Sequence, residues 1–177
     1  MGLKGEDLRS LQAPLKERYR EHPEAAFITL KAQGRLGTGF TCKVDTGKTL
    51  VEAGLHPATG GNGLSACSGD MLLEALAACA GVTLSAVASA IGVEIRDGVV
   101  RAEGDLDFRG TLGIAKEVPV GFQRIRLHFD LDTEASQEQL ATLIRLTERY
   151  CVVYQTLQKS PEIEVSCSSA SLPNSPD

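Results

Sequence analysis

SGDMLLEALAACAGVTLSAVASAIG, residues 68–92, decides the fold. From Ala75 to Val93 it carries nineteen residues without a charge, close to the length of a bilayer span. Its bulk is Ala, Gly, Ser, Thr and Val, with Leu only at 76 and 84 and Ile at 91. Asp70 and Glu74 stand just before it, and Glu94, Arg96 and Asp97 just after. A helix apolar on all sides and flanked this way reads as the buried central helix of a soluble protein. Ser68 suits an N-cap, which puts Asp70 at the second helical position, where a carboxylate suits the helix dipole. The helix is expected to end or kink near Gly92.

Downstream, the period changes to two. Val100, Ala102, Leu106 and Phe108 alternate with polar residues, as do Ile125, Leu127, Phe129 and Leu131, and both runs predict strands. Leu140, Leu143, Ile144, Thr147, Cys151 and Tyr154 then form the apolar stripe of a second helix expected over 134–158. A last strand is expected through Ile163, Val165 and Cys167, before a Ser/Pro-rich tail over 171–177 read as disordered. Upstream, His56-Pro-Ala-Thr-Gly-Gly-Asn-Gly63 is a loop, with neither the P-loop nor the dinucleotide spacing of glycines. Before it, Ile28, Leu30 and Ala32 predict one strand, Gly34-Arg35-Leu36-Gly37 a turn, Phe40, Cys42 and Val44 the returning strand, and 49–53 a third. Residues 1–24 read as a helical arm on Leu8, Leu11 and Leu15, ending before Pro23. The order strands, helix, strands, helix, strand predicts an α+β domain over 25–170, with antiparallel sheet and two central helices.

A chain of 177 residues has room for one such domain. Its net charge of −5 and pI near 5.3 disfavour a polyanion partner, and the lack of Trp disfavours a base-stacking platform, so no nucleic acid is expected to bind; the composition and charged flanks of 75–93 give no membrane partner either. The first residues lack the apolar run of a signal peptide, so a cytoplasmic protein with reduced thiols is the expectation.

The cysteines at 42, 67, 79, 151 and 167 form no C-x-x-C, and no histidine is paired with another at helical spacing, so a metal site is weakly supported. Cys42 and Cys167 fall on the apolar faces of predicted strands and read as packing residues. Cys79 and Cys151 each fall within a predicted helix. They are either two core cysteines or two thiols facing each other where the helices pack.

Ser68-Gly-Asp-Met-Leu-Leu-Glu-Ala-Leu-Ala-Ala-Cys79-Ala-Gly resembles the central-helix signature of the OsmC/Ohr family, the osmotically inducible and organic hydroperoxide resistance thiol peroxidases. Thr147-Glu-Arg-Tyr-Cys151-Val-Val-Tyr-Gln-Thr-Leu157 is similar to that family's second motif, and the Gly60-Gly-Asn-Gly loop agrees. The resemblance implies an intertwined homodimer with Cys79 as peroxidatic thiol, Cys151 as resolving thiol and an arginine in a Gly-Arg turn, here Arg35. It further implies a hydroperoxide substrate and no bound cofactor, with an external dithiol or thioredoxin-like reductant. Three departures mark this chain: Gly69 where the peroxidases carry a glutamate, Val152 where they carry a proline, and Cys67, which has no counterpart in the motif.

Chemistry sets a further demand. The thiolate is the nucleophile, and burial in apolar surroundings opposes its formation. Cys79 lies about three turns into its helix, beyond the reach of that helix's own dipole. A cation from elsewhere is therefore expected beside it, with Arg35 the candidate and Asp70 the acid that would hold the guanidinium in place.

Overall fold

The computed structural model describes residues 10, 12–14, 16–18, 21–22, 33–36, 41–45 and 50–168, with 33–36 and 41–45 described by their backbone. Strands β1 (Gln33–Leu36), β2 (Thr41–Asp45), β3 (Leu50–Gly54) and β4 (Ala66–Cys67) form one sheet in that order. β1 and β2 pair antiparallel, as do β2 and β3, while β4 joins β3 in parallel through Ala53↔Ala66 and Gly54↔Cys67. α1 (Ser68–Ile91) follows, then β5 (Asp97–Asp105), the short α2 (Phe108–Thr111), β6 (Arg124–Asp132), α3 (Gln137–Tyr150) and α4 (Val152–Gln158). β5 and β6 form a separate antiparallel ladder, with Val100 opposite Phe129 and Ala102 opposite Leu127.

The α+β class is as expected, and several boundaries move. The residues read as the first turn, Gly34, Arg35 and Leu36, lie inside β1, paired with Val44, Lys43 and Cys42. The strand expected at Ile28–Ala32 lies outside the described residues, as do Leu8, Leu11, Leu15, the Cys42 side chain and the tail. The described residues from 10 to 18, and residue 21, are helical. Ser68 is the first residue of α1 rather than its cap; Cys67 occupies the cap position without a side-chain bond, and Asp70 falls at the third helical position. Phe108 leaves the strand because Asp107 caps α2, its Oδ1 accepting the Arg109 N–H at 3.0 Å. Residues 161–168 form no strand; Ile163 and Val165 are exposed, and so is Cys167, which is therefore not a packing residue. Among the described residues, alternation there has no neighbouring strand to pair with, and period alone cannot supply one.

α1 ends as its sequence asks. Gly92 takes φ +74°, and the Val93 N–H reaches back to the Ala88 carbonyl at 2.9 Å, burying Val93. The core lies between α1, α3 and the inner face of β5–β6. Leu84, Val87, Ala88, Val93 and Leu143 are buried there, packed by Ile95, Phe129, Leu131, Leu140 and Ile144. Farther up, Leu76, Ala80, Thr147 and Cys151 are buried. α1 is long and apolar enough to cross a membrane by length and composition, yet it is covered on one side only; Val82 is 73% exposed, and Leu72 and Ile91 are exposed as well. Among the described residues, the expectation of burial all round thus holds for the face that β5, α3 and α4 cover.

The second helix departs most from expectation. It begins at Gln137, where Ser136 and Gln139 form a capping box, and it is broken at Cys151, whose φ of −73° and ψ of 111° are extended. The apolar stripe resumes in phase beyond the break, so periodicity reads straight through it. Val152 and Val153 follow at once as the first two residues of α4.

Candidate active site

The break brings two distant thiols together. Cys79 faces α4 from about three turns into α1, and Cys151 sits at the α3–α4 corner with 1% of its surface exposed. Cys151 is held by its own N–H to the Thr147 carbonyl at 2.9 Å. Thr147 is equally buried and spends its hydroxyl on the Leu143 carbonyl at 2.8 Å.

The two sulfurs are polarised in opposite senses. Burial pushes the Cys79 thiol up, but donors outweigh it: the Val153 N–H first, then the Cys151 thiol, the Val152 N–H and the Thr83 hydroxyl. The net result holds Cys79 below the ordinary thiol range. Burial pushes Cys151 up; the N–H groups of Tyr154 and Val153 oppose this, while donating to Cys79 and facing its charge add to the rise. This arrangement makes Cys79 the more acidic thiol and Cys151 the less acidic one.

Among the described residues, the groups that lower Cys79 are neutral dipoles. The principal groups acting on Cys79 among the described residues are backbone N–H groups and hydroxyl or thiol hydrogens. The backbone donors come from the start of α4, where the first N–H groups have no intrahelical partner, and the hydroxyl from Thr83 on α1 itself. Arg35 lies in β1 opposite Lys43, and its side chain is outside the described residues. Asp70 is exposed in the first turn of α1, about 13 Å from Cys79 along the helix axis. Of the four residues singled out from sequence, the structure brings Cys79 and Cys151 together.

Sequence reasoning missed Thr83 and the backbone of Val152 and Val153. Thr83 lies one turn beyond Cys79 on the same face, a spacing that would have found it. The backbone donors depend on the break and leave no signature in residue type.

Beside the corner runs a groove of about 600 Å³ between β6, α3 and α4. Leu76, Phe122, Ile125, Leu127, Ile144 and Leu157 line it, with Tyr154 and Glu148. Among the described residues no three His, Cys, Asp or Glu side chains gather as metal ligands. Cys67 sits at the start of α1, its Sγ 3.6 Å from where a Cβ on Gly69 would lie.

The family model described as OsmC-like protein matches residues 60–166. An OsmC-like protein from Mycoplasma pneumoniae superposes with a TM-score of 0.63 at 19% identity, over 75% of this chain and 89% of that one. Organic hydroperoxide resistance proteins from Legionella pneumophila (TM-score 0.59, 18% identity, 76% of this chain and 92% of that one) and Elizabethkingia anophelis (0.60, 18%, 76% and 91%) are also similar. At these identities the likeness concerns the fold. No curated protein matches the sequence.

Proposed function

The chain belongs to the OsmC-like protein family, and from that membership we propose that it is a thiol-dependent peroxidase reducing organic hydroperoxides. The observation that carries this reading is the meeting of Cys79 and Cys151, 72 residues apart, with opposite polarisation. The Cys79 thiolate attacks the outer peroxide oxygen. The O–O bond breaks, a proton is taken up, and the alcohol leaves, converting Cys79 to a sulfenic acid. The Cys151 thiol then condenses with it, releasing water and forming the 79–151 disulfide. An external dithiol, thioredoxin-like or small, returns both to thiols and is itself oxidised to a disulfide.

The relative burial suits these roles, since Cys79 is partly open and Cys151 is closed off. The adjacent groove has a mixed lining, in which Leu76, Ile125, Leu127 and Leu157 suit the alkyl part of an organic hydroperoxide beside polar residues such as Arg124, His128 and Glu148. Arg35 is the guanidinium proposed to stabilise the departing alkoxide. The exposed, first-turn position of Asp70 fits compensation of the helix dipole better than contact with the sulfur. The apolar side of α1 left open around Val82 suits a homodimer.

A second reading, an OsmC-like protein without peroxidase activity that binds a small apolar or thiol-reactive ligand in the groove, is favoured by Gly69 and by the neutral character of the donors to Cys79. Consumption of an alkyl hydroperoxide with dithiothreitol as electron donor separates the two. The peroxidase reading expects turnover in the wild type and its loss in Cys79→Ser, with a 79–151 linkage found by mass spectrometry after mild oxidation. Turnover unchanged in Cys79→Ser would overturn it.

A further inference from the structure

In an unbroken helix the Val152 N–H would bond to the Glu148 carbonyl four residues back. The extended Cys151 prevents this, and the break creates two debts of hydrogen bonding at once: a carbonyl at the end of α3 and N–H groups at the start of α4. The Glu148 carbonyl is met by a side chain from beyond the corner, Gln155 Nε2, which donates to it at 2.8 Å in a partly buried setting. The backbone N–H of the same residue donates to the Cys151 carbonyl at 3.0 Å. Gln155 thus grips both sides of the break, and its amide stands in for the Val152 N–H at Glu148. Val152 is free to act as a donor to the Cys79 sulfur, alongside Val153.

We propose that Gln155 is a positioning residue: by supplying the Glu148 carbonyl with a donor it holds the chain bent at Cys151 and keeps the Val152 and Val153 N–H groups turned to the Cys79 sulfur. Without that amide, a partly buried carbonyl loses its partner, and the straight helix, in which Val152 would satisfy Glu148, gains relative to the bent one. The residue after the cysteine matters for the same reason. A proline at 152 would force the bend by its ring and the restriction it places on residue 151, but it would have no N–H to give. Val152 provides the donor, and Gln155 supplies the hold on the bend. This inference rests on Cys79 being the attacking thiol, but its test uses neither peroxide nor reductant.

The pH dependence of Cys79 alkylation by iodoacetamide in the full chain, followed by peptide mass spectrometry, reads the thiolate directly. Gln155→Met, of similar shape and no donor, is expected to move the profile up by about one pH unit, hence about tenfold less thiolate below it. Val152→Pro, at the first helical position and after an already extended residue, is expected to fold and to shift the profile up through the loss of one donor. Adding Gln155→Met to Val152→Pro is expected to shift it no further, because the ring now holds the bend. A wild-type profile in Gln155→Met, with or without a lower melting temperature, overturns the proposal. So does an equal further shift in the proline background, a comparison that stands even if Gln155→Met alone fails to fold. Loss of peroxide turnover in the wild type, by contrast, would leave these profiles unchanged and count only against the peroxidase reading.

Discussion

Two helices begin in the C-terminal third of this chain, and they treat their unpaired N–H groups differently. At the start of α3, Ser136 Oγ accepts the Gln139 N–H at 3.2 Å and Gln139 Oε1 accepts the Ser136 N–H at 2.9 Å, so the donors are satisfied by the segment's own side chains. At the start of α4, Cys151 makes no side-chain cap, and the N–H groups of Val152 and Val153 act on the sulfur of Cys79 on another helix. The first arrangement stabilises a helix. The second leaves a helix start uncapped and turns its dipoles on a thiol, with Gln155 bonded across the bend.

The comparison breaks first at Cys79 itself. Cys79→Ser should reduce dithiol-driven peroxide consumption to the uncatalysed rate while leaving far-UV circular dichroism unchanged; retained turnover would remove the chemical side of the contrast. The next largest effect belongs to the core that holds the two starts in register. Leu143→Ala, at a fully buried site between them, should lower stability by about 2–5 kcal/mol in urea unfolding. A value below this range would mean that α3 is not anchored where the structure puts it.

Ser136→Ala should cost about 1 kcal/mol with the Cys79 alkylation profile unmoved, which sharpens the contrast by separating stability from reactivity. A shift in that profile would show the two starts to be coupled. Alkylation of the folded chain should titrate Cys79 below the ordinary thiol range and Cys151 above it. Because the folded value of Cys79 is depressed, its contribution to stability is present above the unfolded value and is lost as pH falls through the folded one. For Cys151, whose folded value is raised, the contribution is present below the unfolded value and is lost as pH rises through the folded one. In urea the two thiols should titrate together, and a difference that survives unfolding would rule out the tertiary origin of the split.

The smallest effect is expected on the outer face of β5–β6. There Arg101 and His128 pair with Asp130, and Arg96 pairs with Asp132. Asp130→Asn should shift the melting temperature slightly downward at low ionic strength, and added salt should erase the shift.

Much of this was legible before any coordinates. The uncharged run 75–93, the alternation at 125–131 and the stripe from Leu140 to Tyr154 announce their elements through periodicity, because burial on one face imposes it. The site was half legible. Cys79 and Cys151 stand out by placement, whereas Gln155 looks like an ordinary helix-surface residue until the Glu148 carbonyl is seen to need it. The strand expected through Cys167 and the turn expected at Arg35 failed for a shared reason: pairing partners decide strands, and a partner is a tertiary fact.

Residue order alone thus determined which segments could be helix or ladder and which sulfurs lay on apolar faces, since those properties follow from side-chain period and polarity. The break at Cys151, the opposed polarisation of the two thiols and the donors behind it were decided only in three dimensions. A backbone N–H carries the same identity at every position, and what it bonds to depends on which part of the chain has been brought against it.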